Sequence, residues 1–77
     1  MKTVAVIPSY NDSQTVGSVR WQAGHYVDST VVVDDGSTDG PSLMGEGILH
    51  HAENRGKGAA LRTGIQEALR NGTDFIV

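Results

Sequence analysis

Asp34 and Asp35 are the residues whose setting most invites chemistry. They sit in Val31-Val32-Val33-Asp34-Asp35-Gly36-Ser37-Thr38-Asp39, where three β-branched residues run into two carboxylates, a glycine and two hydroxyls. A strand buried on both faces reads as a continuous apolar run. Here that run stops at charge, so the carboxylates fall where the strand leaves the core. In open α/β sheets that edge is where ligands bind. An acidic pair followed by Gly-Ser-Thr suits a polar ligand carrying hydrogen-bond donors, or a metal-bound phosphate. The same residue types also build an ordinary strand end and turn, and the stretch alone leaves both readings open.

Two further segments have chemical potential. Asn54-Arg55-Gly56-Lys57-Gly58-Ala59-Ala60 places a glycine-flanked lysine at a helix start, where free N–H groups and the helix dipole favour an anion. It is neither a GxxxxGK[ST] phosphate loop nor a dinucleotide fingerprint, since Leu61 stands where a third glycine belongs. By itself it also reads as a flexible loop opening a helix. In Pro8-Ser9-Tyr10-Asn11, Tyr10 can stack on a base or cover the sheet edge, and Asn11 is expected to cap a helix. His25, His50 and His51 make a poor metal set, because adjacent residues on a strand point to opposite faces. Asp39 is expected to serve a turn or helix cap and Trp21 to pack its helix. No Ser-His-Asp order or Cys-His pair suggests nucleophilic catalysis.

The elements that must position these residues follow from the pattern. Residues 4–7 form a short apolar strand closed by Pro8. A helix capped by Asn11, Asp12 or Ser13 runs to about residue 23, its thin stripe being Val16, Val19, Arg20 and Ala23. Gly17 weakens that helix by about 1 kcal/mol relative to alanine. The second strand spans 30–34. Residues 40–47, rich in glycine, allow at most one helical turn, and 48–50 form a weak strand. Ala60, Leu61, Ile65, Ala68 and Leu69 recur at helical spacing over Lys57–Arg70, and Asn71-Gly72 is a stop signal. Asp74-Phe75-Ile76-Val77 begins another strand. Strands alternating with helices imply right-handed βαβ units and a parallel sheet. The expected fold is α/β, a Rossmann-like half-fold of about four mostly parallel strands with helices on both faces.

Seventy-seven residues make one small domain, 1–77, expected to be incomplete, with a thin stability margin. The chain has no cysteine, hence no disulfide or thiolate metal site. Six basic residues against nine acidic ones give a net charge of −3, which argues against a nucleic-acid partner. The opening apolar run is too short for a signal peptide, and no run approaches the roughly 20 residues of a membrane span. A cytoplasmic chain is expected.

Taken in order, Ile7-Pro8-Ser9-Tyr10-Asn11, the Val31 to Asp39 stretch, and Glu53-Asn54-Arg55-Gly56-Lys57-Gly58-Ala59-Ala60-Leu61-Arg62-Thr63-Gly64 resemble the N-terminal half of a family 2 glycosyltransferase. The third motif is most similar to the branch that moves sugars onto polyprenyl phosphates. The resemblance implies a GT-A type nucleotide-sugar domain, truncated here, that transfers a sugar from a UDP- or GDP-sugar to an acceptor such as a polyprenyl phosphate. It also implies a nucleotide site in which Pro8 and Tyr10 border the nucleoside. Asp35, with Asp34, would accept from the base, and Lys57 would approach the base or the diphosphate. A divalent cation, Mg²⁺ or Mn²⁺, is implied too, held by an Asp-x-Asp motif expected beyond residue 77, as are the catalytic base and acceptor site. The segment between Asp39 and Asn54 is shorter than the family pattern. The alternative is a non-catalytic nucleotide-binding half-fold that self-associates through an exposed sheet edge.

Overall fold

A computed structural model describes residues 1–40 and 44–77. Its elements in chain order are β1 (Thr3–Ser9), α1 (Val16–Ala23), β2 (Ser29–Asp34), β3 (Ile48–His50), α2 (Lys57–Arg70) and β4 (Phe75–Ile76). The four strands form one sheet in the order β3-β2-β1-β4, and every pairing is parallel. The expected half-fold is therefore present. From β1 to β2 the chain steps one way across the sheet, and from β3 to β4 it returns the other way. Right-handed crossovers then put α1 and α2 on opposite faces.

Side-chain alternation divides the strands between these faces. Val4, Val31 and Val33 pack with Ala60 and Ala68 of α2, joined by the half-buried Val6, Leu49 and Ile76. Val32, fully buried, and Ala5 point the other way. α2 comes close to the sheet because its inner face carries Ala60, Gly64 and Ala68. A methyl on Gly64 would collide with Val6 and come within 3.2 Å of Val33, so this glycine sets the helix-to-sheet distance.

The long helix, the second strand to within one residue, and the short β3 lie where the pattern puts them. β1 runs two residues past the expected end and includes Pro8. The amide of Val6 donates toward β4, to the carbonyl of Val77. Two residues on, the nitrogen of Pro8 faces the same side beyond the last β1–β4 pair, where no ladder donor is required.

α1 departs more. It starts only at Val16, its N-cap Thr15 makes no side-chain cap bond, and Asn11, Asp12 and Ser13 do not cap it. Of the expected stripe only Val16 is buried, and Val19 is largely exposed. Arg20 instead spans to β2, with Nε donating to Oγ1 of Thr30 and Nη2 to the carbonyl of Glu46. Trp21 does not pack against the sheet. It is 69% exposed, and its ring meets the His25 ring edge to face. Residues 44–47 form no helix, and the rest of the possible turn at 40–47 lies partly outside the described residues. No helix among the described residues is long and apolar enough to cross a membrane.

Candidate functional site

At the carboxyl edge of the sheet, strand register lines up Ser9, Asp34 and His50. The next residues along, Tyr10, Asp35 and His51, turn to the opposite face. Each aspartate therefore meets the histidine on its own face. Asp34 Oδ2 lies 3.1 Å from His50 Nδ1, and its Oδ1 accepts from the Ser37 amide at 3.2 Å. Asp35 Oδ1 lies 2.7 Å from His51 Nδ1 and accepts from the Arg55 amide at 2.9 Å, while its Oδ2 accepts from the Gly56 amide at 2.8 Å. His51 Nε2 continues to Oγ1 of Thr63 on α2 at 2.9 Å.

These contacts fix the charge state. The His51 hydrogen bond, working against burial and joined by the Arg55 and Gly56 amides, holds the Asp35 carboxyl below its usual range. For Asp34 burial opposes ionisation, but hydrogen bonds from Ser37 and His50 outweigh it and its carboxyl too is lowered. The N-terminus of α2, beginning one residue after Gly56, adds its positive dipole end beside Asp35.

The first two loops are laced together. Asn11 adopts a left-handed backbone with φ of 51°. Its amide donates to Ser37 Oγ, and its side-chain oxygen accepts from the Thr38 amide. The Ser13 amide donates to the Asp39 carboxylate, so Asp39 holds a turn across 26 residues of sequence. Ser9 Oγ donates to the Asp12 carboxylate. The third loop crosses close over the second: a methyl on Gly36, whose φ is 75°, would stand 2.5 Å from the backbone of Glu53 and Asn54. Asn11 is thus a bridge between loops instead of a helix cap, because its side chain and backbone are committed to the Ser37-Thr38 turn.

A cleft of about 370 Å³ opens between these loops, lined by Pro8, Ser9, Tyr10, Asp35, Asn54, Gly56, Lys57 and Ala60. Its size falls in the range of small-molecule sites. Four of the five nucleotide-site candidates, Pro8, Tyr10, Asp35 and Lys57, border it together. Asp34 does not line it and meets His50 on the other face of the sheet. Larger grooves of about 500 and 610 Å³ lie beside Arg20 and Thr30, at the opposite end of β2 from the aspartates. They gather no set of buried acids and amides, so the smaller cleft is the candidate site.

The model of the family described as glycosyl transferase family 2 matches residues 4–76. The chain belongs to glycosyl transferase family 2. It is 27% identical over 88 aligned residues to a polyprenol monophosphomannose synthase of Mycolicibacterium smegmatis, covering 99% of this chain and 33% of that protein. It is 39% identical over 69 residues to an uncharacterized protein of Methanocaldococcus jannaschii, covering 83% of this chain and 28% of that protein. The chain thus spans about a third of the length of the curated relatives it matches. No solved structure matches it significantly.

Family 2 members generally depend on a divalent cation, and the described residues offer no holder for one. No three His, Asp or Glu side chains converge among them, and Asp34 and Asp35 are each engaged by a histidine and backbone amides. They do not fit a metal. His25 is remote from the other two histidines, with Nδ1 3.0 Å from the Trp21 carbonyl.

His50, His51 and Thr63 are the partners that motif reading passes over. Strand register would have found the histidines. With 30–34 and 48–50 as parallel neighbours ending in line, Asp34–His50 and Asp35–His51 fall side by side.

Proposed function

We propose that the cleft between Tyr10, Asp35 and Lys57 binds the nucleotide of a UDP- or GDP-linked sugar. On this reading the chain is the donor-binding portion of a glycosyltransferase acting on an acceptor such as a polyprenyl phosphate. The observation that carries the proposal is the convergence of Pro8 and Tyr10 at the end of β1, Asp35 after β2 and Lys57 at the start of α2 on one cleft of suitable size. An ionised, acceptor-only carboxylate at its wall suits the imide or amide N–H of uracil or guanine. Tyr10, half exposed at the rim, offers a ring for stacking. Lys57 and the start of α2 supply the positive end that a diphosphate needs. Family membership supports the activity class, and likeness to a polyprenol monophosphomannose synthase supports the acceptor class. Isothermal titration of the chain with UDP, GDP and their sugars tests it. Saturable one-to-one binding of either nucleotide is expected; no heat at millimolar ligand refutes donor binding by this chain.

A second reading is association through β4. That strand pairs with β1 over two residues only, and Phe75 and Val77 are exposed beside it, an apolar edge that invites another strand. Sedimentation at rising concentration tests it, and a monomer throughout refutes it. The two readings are compatible.

A further inference from the structure

We infer that His51, backed by Thr63, is a positioning residue that dictates how Asp35 presents itself to a ligand, an inference resting on the nucleotide reading of the cleft. A carboxylate has room for about four hydrogen-bond donors. Asp35 already receives three: Arg55 N–H and His51 Nδ1 on Oδ1, and Gly56 N–H on Oδ2. One acceptor direction is left, on Oδ2. Without His51 the free direction would be shared between both oxygens, and the carboxylate could rotate to favour either.

The ring is held so that it cannot give way. An ionised carboxylate has no proton to donate, so Nδ1 of His51 must carry the hydrogen between them. In the neutral ring Nε2 is then an acceptor, and the Thr63 hydroxyl donates to it across 2.9 Å. The His51 and Asp35 side chains are 7% and 4% exposed, leaving water little access to compete. Thr63 belongs to α2, the helix whose first residue is Lys57. One chain of hydrogen bonds therefore runs from α2 through the β3 end to the carboxylate at the β2 end, and ties the second motif to the third.

The test combines a spectrum with a set of variants. Long-range ¹H–¹⁵N spectra of the histidine rings should show a proton on His51 Nδ1, facing Asp35. UDP and GDP affinity should fall at least about tenfold in His51→Leu, the loss expected when a hydrogen bond to a charged group goes. His51→Asn, which keeps an N–H donor near the Nδ1 position, should restore most of it. Thr63→Val should alter the His51 ring signature while leaving far-UV circular dichroism unchanged. A ring protonated at Nε2 alone overturns the inference, as does a folded His51→Leu that binds with wild-type affinity. Should His51→Leu fail to fold, a folded His51→Asn that binds at least about tenfold more weakly than the unaltered chain, or an unaltered ring signature in Thr63→Val, overturns it too. If the unaltered chain binds neither nucleotide, the failure lies in the nucleotide reading. Binding by the unaltered chain with no loss in folded His51→Leu places the failure in His51 alone.

Discussion

Nδ1 of His51 lies 2.7 Å from Oδ1 of Asp35, joining residues sixteen apart in sequence. That contact, with the Arg55 and Gly56 amides on the same carboxylate, makes Asp35 the knot between the second and third loops. An acidic side chain at a strand end would ordinarily face water. Here it is 3% exposed and almost wholly surrounded by donors, so its removal should be felt in both stability and binding.

Acid should loosen the fold through these carboxylates. Both Asp34 and Asp35 sit below the ordinary value of 3.8, so the unfolded chain takes up protons more readily than the folded one. Their contribution to stability is complete above about pH 5 and is lost as pH falls through the lowered folded values. Thermal melts from pH 7 to pH 2 should show the midpoint dropping below about pH 4, with a shallower drop in Asp35→Asn. Equal acid slopes in the two proteins would contradict this.

Gly36→Ala should destabilise the chain by about 1–3 kcal/mol, the usual range for a strained backbone position. The new methyl meets the backbone of Glu53 and Asn54, and φ of 75° is unfavourable for alanine. Urea unfolding measures the loss. Because the third loop must retreat, nucleotide affinity should fall as well.

Gly64→Ala acts where α2 meets the sheet. The added carbon presses on Val6 and Val33, and such overpacking costs typically about 1–3 kcal/mol. Denaturant unfolding should report that loss, and a neutral result would mean that α2 can slide outward freely.

Lys57→Ala separates binding from folding. Its side chain is exposed at the start of α2, so stability should change by no more than about 0.5 kcal/mol. Affinity for UDP and GDP should drop, and the remaining binding should depend less on salt. Unchanged affinity would remove Lys57 from the site.

The sequence was most legible where one physical signal dominated. Helical spacing of Ala60, Ile65 and Ala68 gave α2 its bounds, and the Val31-Val32-Val33 run placed β2. α1 was harder, because Asn11 and Ser13 have the residue types of helix caps yet spend their bonds on Ser37, Thr38 and Asp39 across the chain. Trp21 misled for a related reason: an aromatic on a weakly striped helix looks like core, but Arg20 supplies the contact to β2. Around the cleft, Pro8, Tyr10, Asp35 and Lys57 could be named only through the likeness of the three motifs to the family pattern. The split between Asp34 and Asp35 could not, since adjacent strand residues face opposite ways and only the register with β3 shows which histidine each one meets.

On the proposed function a nucleotide occupies the cleft walled by Asp35. Mapping amide shift changes on the ¹⁵N-labelled chain during titration with UDP and GDP tests it most directly. Saturable shifts are expected at Tyr10, Asp35, Asn54, Gly56 and Lys57, with Trp21, His25 and Tyr26 unmoved and the response weakened in Asp35→Asn. Shifts confined to the Trp21–His25 groove, or none at millimolar nucleotide, would contradict it.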